Sequence, residues 1–364
     1  MKPLLKWPGG KSSEIVRFRS MIPGFDRYLE PFFGGGALFF HLCPPRAAVN
    51  DLSGELMGFY RLVKDQDPAL EAYLRSYAWS FRRLLALGEA QADRLLALLP
   101  ALEAGTLEQA VAALFDSWAD RLPSLFDPPL TPDPAAFRAE LERSLLDKVR
   151  RTARNQEKSP FSRADLVENL LTGLTGGYYL YFRQRYNEKC GASSAEYYAN
   201  FYFIREMCYG SMFRYNSRGE FNIPYGGISY NRKDLLSKVE AIFSPAVADL
   251  FAGTELSAMD FEEFLGYVKP TERDFLFLDP PYDTEFSDYS GTAFTKLDQA
   301  RLAVALSRTP AKFLLIIKNT DFIQGLYGQG FHVWRFDKQY AYNVRRRNDR
   351  AAEHLIVTNY ALPL

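Results

Sequence analysis

The segment Asp279-Pro280-Pro281-Tyr282 follows an apolar run and combines residue types suited to a substrate that presents an amino group. Proline has no backbone N–H, so the segment offers carbonyl oxygens and the Asp279 carboxylate as acceptors. Asp279 and the Pro280 carbonyl can accept both N–H bonds of a nucleobase amine, which frees a lone pair otherwise conjugated with the ring. Tyr282 can stack on the base. An ordinary proline-rich turn is the structural alternative.

A second candidate site is the segment 30–37, in which three consecutive glycines stand where a first strand turns into a helix. Glycine permits positive φ angles and close approach of a ligand to the backbone. The segment is not G-x-G-x-x-G, so it does not indicate a dinucleotide fold. Asp51 ends a second predicted strand, where an acid can accept hydrogen bonds from ribose hydroxyls. The two features suit an adenosine-containing ligand. The structural alternatives are a tight turn for the glycines and a helix N-cap for Asp51.

These residues need a parallel sheet to position them, and the flanking sequence predicts one. A strand ending at 28–30, a helix opening at 37–42, a strand at 47–49 and a helix at 56–63 form a β-α-β-α series. Further strands are predicted at 275–278, 313–317, 333–336 and 354–358. We therefore predict an α/β fold made by residues 1–64 and 236–364. It is interrupted by a mostly helical insert, 65–235, that carries a β-hairpin near 213–226.

The composition excludes several classes of protein. A hydrophobic share of 47% and a charged share of 24% indicate a globular chain, and a formal net charge of zero gives no global attraction to nucleic acid. Three scattered cysteines and three histidines predict neither a disulfide framework nor a metal site. No apolar run is long enough to span a membrane. The N-terminus does not resemble a signal peptide, so we expect a cytoplasmic protein.

Four ordered motifs resemble the Dam-like (D12 class) DNA adenine N6-methyltransferase family. They are Lys6-Trp7-Pro8-Gly9-Gly10-Lys11, Glu30-Pro-Phe-Phe-Gly-Gly-Gly36, the hairpin segment 213–226 and Asp279-Pro-Pro-Tyr282, and the final strand 353–360 is also similar. The resemblance implies a Rossmann-like S-adenosylmethionine-dependent methyltransferase sheet whose helical insert is a target recognition domain. It also implies site-specific methylation of the N6 amine of adenine in duplex DNA, with the target base flipped into the pocket of Asp279–Tyr282.

Residue roles follow by similarity to that family. The catalytic residues would be Asp279, Pro280, Pro281 and Tyr282. S-adenosylmethionine is the cofactor implied, and it would be bound by Trp7, Gly9, Gly10, Lys11, Pro31, Phe32, Gly34, Gly35, Gly36, Asp51, Asp260, Phe261 and Asp279. Lys11 would lie near the cofactor carboxylate, Asp51 would hold the ribose, and Asp260 would accept the adenine amino group. Without the resemblance, a role of Asp260 as a helix cap is equally compatible with the sequence.

The partner implied is double-stranded DNA, with no metal and no membrane. The DNA-binding candidates are Lys6, Arg214, Asn216, Arg218, Arg345, Arg346 and Arg347. Arginine and asparagine read guanine and adenine edges, which favours the hairpin residues, and the cluster at 345–347 is typical of phosphate contact. Residues 65–175 match no motif of the family, so the recognition sequence is not predicted. A separate cognate restriction endonuclease is compatible with the sequence.

Three other activities remain open from the sequence. Methylation of cytosine N4 would use the same geometry, although that branch more often carries Ser-Pro-Pro-Tyr. Methylation of a protein glutamine usually goes with Asn-Pro-Pro-Tyr, and the large insert argues against it. A DNA-binding module that keeps the cofactor pocket without turnover is the third. The intact Asp279-Pro-Pro-Tyr segment argues against that last possibility.

Overall fold

The computed structural model describes residues 1–191, 194–211, 214–281, 294–339 and 351–361. The strands are β1 (Arg27–Glu30), β2 (Ala47–Asn50), β3 (Thr254–Ser257), β4 (Asp274–Leu278), β5 (Lys312–Lys318), β6 (His332–Gln339) and β7 (Ala351–Thr358). The helices are α1 (Ile15–Phe18), α2 (Ala37–Leu42), α3 (Gly54–Lys64), α4 (Pro68–Glu89), α5 (Ala92–Leu96), α6 (Leu98–Glu103), α7 (Leu107–Asp116), α8 (Pro134–Lys158), α9 (Arg163–Asn187), α10 (Ala195–Met207), α11 (Ile228–Asn231), α12 (Leu235–Ile242), α13 (Pro245–Ala252), α14 (Phe261–Val268), α15 (Lys296–Arg308) and α16 (Asp321–Tyr327).

The chain forms two compact units. The first consists of Met1–Lys64 and Pro245–Leu364, and the second of Asp65–Ser244. The sequence placed the end of the insert at 235, which is the first residue of α12. The second unit includes that helix because α12 packs against α4.

The first unit is built on one sheet with the strand order β3-β2-β1-β4-β5-β7-β6. The pairs from β3 to β5 are parallel, and β7 pairs antiparallel with both β5 and β6. The predicted α/β fold with a parallel sheet is therefore confirmed. β3 was not predicted, and its short sequence explains why: Glu255 is exposed in an edge strand of only four residues.

Both faces of this sheet are covered, which is why the middle residues of β4 and β5 are apolar and buried. On one face, side chains such as Leu276 and Leu315 pack with α14, α15 and α16. An aromatic cluster from α2, α3 and α13 includes Phe39, Tyr60 and Phe251, whose ring centroids lie 5.6–5.9 Å apart where they touch. The two layers fix β1 and β4, whose ends carry the candidate site.

In the second unit, glycines let α8 and α9 pack very closely. A Cβ atom on Gly177 would lie 2.9 Å from the Leu141 Cα, and one on Gly173 would lie 3.2 Å from the Leu145 Cα. The tyrosines of α9, Tyr178 and Tyr179, are fully buried. They therefore belong to the core rather than to an aromatic surface for nucleic acid.

Replacing Gly177 by alanine is expected to cost about 1–3 kcal/mol in packing, because the backbone of α8 would have to move. The gain in helix propensity of about 1 kcal/mol offsets part of this cost, so we expect a net destabilisation of up to about 2 kcal/mol. Gly176→Ala is the matched control, since its added Cβ would meet nothing closer than 3.5 Å. Urea unfolding of both variants checks this, and equal stabilities would contradict the close packing.

The predicted hairpin is a short antiparallel ladder in the second unit. Tyr215 pairs with Phe221. The Asn216 side-chain oxygen accepts the backbone N–H groups of Arg218 and Glu220, at 2.9 and 3.0 Å. Gly219 takes a positive φ of 76°. Asn216 therefore shapes the turn itself.

Among the described residues, no helix is long and apolar enough to cross a membrane.

Candidate active site

The candidate site lies where β1 and β4 end side by side. These strands are parallel neighbours, so the turn that follows Glu30 and the turn that begins at Asp279 leave the same edge of the sheet. Lys11 approaches from the N-terminal loop, and its Nζ lies 2.6 Å from each carboxylate oxygen of Asp279. It also donates to the Gly9 carbonyl at 3.0 Å. The structure thus joins two predicted motifs through one ion pair.

This ion pair is shielded from water on both sides. The exposed fraction of the side chain is 2% for Lys11 and 18% for Asp279. A charge so buried needs its partner, because an isolated ammonium loses its hydration without compensation. The sequence placed Lys11 near the cofactor carboxylate. In this structure its ammonium pairs with the Asp279 carboxylate, and the contact with the cofactor stays a prediction.

Glu30 contributes a third acid beneath the same turns. It is 2% exposed, and its Oε2 accepts a hydrogen bond from the Tyr28 hydroxyl at 2.9 Å. Burial raises the pKa of the Glu30 carboxyl well above its usual value, the Tyr28 hydrogen bond opposes this, and the nearby charges of Asp279 and Asp51 add to the rise. Glu30 is therefore a buried group held by Tyr28, and the candidate acceptors for a ligand remain Asp279 and Asp51.

Asp51 organises the glycine turn from the end of β2. Its Oδ2 accepts the Gly34 N–H at 2.8 Å, and its Oδ1 accepts the Ser53 N–H at 2.9 Å. Burial raises the pKa of Asp51, and these two backbone hydrogen bonds partly offset the rise. On the other side of the turn, a Cβ on Gly34 would lie 2.8 Å from the Trp7 Cδ1. Gly34 is thus required by the indole of Trp7 and by its positive φ of 49°.

The third glycine of the turn is required for a different reason. Gly36 takes a positive φ of 64° as the N-cap of α2, and a Cβ there would come within 2.7 Å of the Phe33 ring. Gly9, in the N-terminal motif, also has a positive φ, of 76°. The predicted glycine segments are therefore tight turns with left-handed residues. Both turns lie in the unit that carries Asp279.

Asn50, the last residue of β2, positions the segments on either side of it. It is 1% exposed. Its Nδ2 donates to the carbonyls of Pro31 and Met259 at 3.1 and 2.9 Å, and its Oδ1 accepts from Ser257 Oγ and the Met259 N–H. Asn50 therefore ties the turn after β1 to the loop after β3. No local sequence signal reveals contacts over more than 200 positions.

That loop leads to Asp260 and Phe261. Asp260 caps α14 by accepting the Glu262 N–H at 2.9 Å, and it also accepts from Arg301 at 2.7 Å. The Arg301 guanidinium lies over the Phe261 ring, 4.9 Å from its centroid. Phe261 in turn contacts the ring of Phe32 at 5.6 Å. Asp260 is thus a cap and an ion-pair partner, and its role toward a cofactor stays a prediction.

The remaining predicted site residues divide into three groups. Tyr282 and the cluster Arg345, Arg346 and Arg347 lie outside the described residues. Lys6 is half-buried in the first unit. Arg214 and Arg218 are exposed in the second unit, where the Arg214 Nε donates to the Asn222 side chain at 2.7 Å. Within the described ranges, no group of side chains with metal-ligating geometry is found.

Known proteins that are similar in sequence to this chain include methyltransferases. The chain is 24% identical to the Type II methyltransferase M.CviBI of Paramecium bursaria Chlorella virus NC1A, over 99% of this chain and 100% of that protein. It is 24% identical to the Type II methyltransferase M.MjaIII of Methanocaldococcus jannaschii, over 99% of each chain. It is 23% identical to the DNA N-6-adenine-methyltransferase of Escherichia phage P1, over 91% of this chain and 32% of that protein.

The profile of one family matches both parts of the sheet-forming unit and much of the insert. It covers residues 7–84 and 151–342, and so contains the N-terminal motif from Trp7 onward, the glycine motif and the Asp279-Pro-Pro-Tyr motif. Its description specifies N6 of adenine, which the sequence left open against cytosine N4. The unmatched stretch 85–150 falls in the second unit. The chain therefore belongs to the D12 class N6 adenine-specific DNA methyltransferase family.

Proposed function

We propose that this DNA adenine methyltransferase takes its methyl group from S-adenosylmethionine and holds the flipped target adenine at Asp279–Tyr282. The observation that carries the proposal is the ionic Asp279 carboxylate at the end of β4, beside the glycine turn at the end of β1. An amine acceptor and a loop suited to a cofactor then share one sheet edge. Such edges are where open α/β sheets bind their ligands.

The residues around the glycine turn fit this cofactor. A half-buried carboxylate, Asp51, follows the end of β2, where a ribose diol would find an acceptor. The half-buried ring of Phe32 provides apolar surface on this turn, and the buried ring of Phe261 at the start of α14 packs against it. When bound, S-adenosylmethionine supplies an electrophilic methyl group on a sulfonium. We assign the ribose to Asp51 and the neighbourhood of Asp260 and Phe261 to the adenine ring.

The protein's part in the reaction is to hold the amine. Asp279 and the Pro280 carbonyl would accept its two N–H bonds, which directs the nitrogen lone pair toward the methyl carbon. The amine nitrogen would take the methyl group from sulfur, the electron pair of the broken C–S bond would remain on sulfur, and one amine proton would be released to solvent. Lys11 donates to one lone pair on each carboxylate oxygen of Asp279. A carboxylate has about four lone pairs that can accept hydrogen bonds, so Asp279 can still accept from the amine.

Transfer from a labelled cofactor tests this proposal. The protein would be incubated with S-adenosylmethionine bearing a trideuterated methyl group and with mixed-sequence duplex DNA that lacks adenine methylation. Mass spectrometry of the digested nucleosides should show trideuterated N6-methyladenine. Labelled N4-methylcytosine, or methylated adenine without the label, would contradict the proposal. A reaction that omits the protein controls for chemical methylation.

For DNA binding, we propose that Arg345, Arg346 and Arg347 contact phosphates. Replacing all three by glutamine should weaken binding to duplex DNA and reduce the slope of log affinity against log salt by up to about 3, since each phosphate contact contributes about 0.9. Fluorescence anisotropy at several salt concentrations measures this slope.

A control variant changes the same amount of charge elsewhere. Arg75, Arg143 and Arg163 already pair with Glu71, Glu140 and Asp93. Their replacement by glutamine should leave the slope close to that of the wild type. If both triple variants change the slope equally, the effect is one of net charge and the proposed contacts are wrong.

We further propose that methylation by this protein protects DNA from a separate restriction endonuclease of the same specificity. The support is that relatives covering nearly its whole length are named Type II methyltransferases. Protection of the methylated DNA against a panel of endonucleases would identify that specificity. Digestion by every endonuclease whose site contains the mapped methylated adenine would contradict this role.

A further inference from the structure

Gln299 connects α15 to the turn that carries Asp279. It is fully buried, and its Nε2 donates to the Pro281 carbonyl at 3.0 Å. A carbonyl oxygen can only accept, which settles the orientation of the amide: its NH₂ group faces Pro281. None of the sequence motifs includes this residue. It lies 18 positions beyond Pro281.

The turn needs such a contact because of its prolines. Pro280 and Pro281 have no backbone N–H, so neither residue can be anchored by donating a hydrogen bond. Their rings lock φ but leave ψ soft. Since φ of Pro281 is locked, one torsion, ψ of Pro281, separates the plane of the Pro280 carbonyl from the Pro281 carbonyl. A donor that anchors the Pro281 oxygen therefore restrains the Pro280 carbonyl as well.

The position of Gln299 is itself rigid. α15 begins with a capping box in which Thr295 and Asp298 exchange side-chain-to-backbone hydrogen bonds. Leu302 and Ala303, one turn further on the same face, are packed in the core beneath the sheet. Gln299 thus projects from a fixed helical turn. Its donor reaches the Pro281 oxygen from a position with little freedom to move.

Gln299 is not the residue that stability alone would favour. Its Oε1 atom is buried and has no hydrogen-bond partner among the described residues. Leaving a buried acceptor unsatisfied costs about 1–3 kcal/mol, and an apolar side chain of similar length would avoid that cost. What glutamine adds over such a side chain is the hydrogen bond to Pro281. Its benefit therefore lies in the geometry of the turn.

We propose that Gln299 is a positioning residue for methyl transfer, which holds the Pro280–Pro281 unit so that the Pro280 carbonyl and the Asp279 carboxylate converge on the amine. This rests on the amine-binding role proposed above for Asp279 and Pro280. It predicts an effect on turnover rather than on cofactor binding. It also predicts that a hydrogen-bond donor, and not side-chain volume, is what the position requires.

The test compares Gln299→Met and Gln299→Glu with the wild type. Gln299→Met keeps the length and removes the donor, so kcat should fall by about 10- to 100-fold, as a misplaced reacting group does. The dissociation constant for S-adenosylmethionine, measured by calorimetry, should stay within about twofold. Gln299→Glu should lose turnover at pH 8 and regain part of it toward pH 6, because the protonated carboxyl again has an O–H to donate. Burial raises the pKa of such a carboxyl.

A packing control separates positioning from loss of stability. Leu306→Ala, also in the buried face of α15, should lower the melting temperature and keep the wild-type kcat at temperatures where the variant is folded. If Gln299→Met retains the wild-type kcat while Asp279→Ala is inactive, the inference about Gln299 is wrong and the proposed function stands. A pH-independent defect in Gln299→Glu would also overturn the inference. An active Asp279→Ala variant would instead refute the amine-binding role, since alanine leaves no side-chain acceptor.

Discussion

Replacing Asp279 by alanine should abolish methyl transfer and also destabilise the protein, and only the second effect should be reversed by removing Lys11. Asp279 is the proposed acceptor for the amine, so we expect kcat to fall by about 100- to 10,000-fold. The stability effect has a separate cause. Lys11 is 2% exposed and would lose the carboxylate that compensates its charge. Breaking a buried ion pair from one side costs about 3–5 kcal/mol.

A double-mutant cycle separates these two consequences. Urea unfolding and single-turnover methylation would be measured for the wild type, Asp279→Ala, Lys11→Met and the double variant. The double variant should recover most of the lost free energy of unfolding, because no buried charge is left alone, and it should stay inactive. An unchanged stability of Asp279→Ala would argue against the ion pair in solution. Activity in the double variant would argue against Asp279 as the amine acceptor.

Much of this site follows from the sequence because its motifs are local and stand at strand ends. The apolar run 275–278 and the strand ending at Glu30 could each be recognised, and neighbouring parallel strands bring their carboxyl ends together. The helix opening at Ala37 follows from Gly36 in the same way. These features depend on a few consecutive residues. They could therefore be placed without knowledge of the rest of the chain.

The contacts that join the motifs could not be predicted in this way. The pair between Lys11 and Asp279 spans 268 positions, and the hydrogen bond from Asn50 to Met259 spans 209. Nothing near either residue specifies its partner, since the large insert lies between them. The sequence also read the glycine turn as a place for a ligand, whereas the indole of Trp7 already lies against Gly34. Such requirements come from tertiary packing, which periodicity and turn propensity do not encode.

In the hairpin, the local structure could be predicted from the sequence, but the role of Asn216 could not. Its turn around Gly219 was predictable from Ser-Arg-Gly, but the same residues suggested that Asn216 reads a base edge. In the structure its side-chain oxygen already accepts two backbone N–H groups, and its Nδ2 donates to Glu220 at 2.6 Å. Reading a base would require giving up these bonds. Arg214 and Arg218 are therefore the better candidates in this hairpin for contact with DNA.

Asp51→Ala should weaken binding of S-adenosylmethionine by about 10- to 100-fold. Two losses add: the carboxylate proposed to accept the ribose hydroxyls, and the hydrogen bond that holds Gly34 in its left-handed conformation. Each hydrogen bond to a charged group contributes about 1.5–3 kcal/mol, and part of the loss is compensated by water. Calorimetric titration measures the affinity. Asp26→Ala is the control, because that exposed carboxylate in the same unit pairs with Arg273 instead.

The pH dependence of binding distinguishes the two losses. Burial raises the pKa of Asp51, and binding of the ribose hydroxyls uses the ionised carboxylate. Protonation at low pH removes that acceptor, so the wild-type affinity should fall as the pH decreases through this raised pKa. Asp51→Asn keeps one acceptor oxygen for a backbone N–H but cannot ionise, so its weaker affinity should not change over the same range. A wild-type affinity independent of pH from 4 to 8, together with unchanged binding by Asp51→Ala, would remove Asp51 from the cofactor site and leave it only the role of shaping the turn.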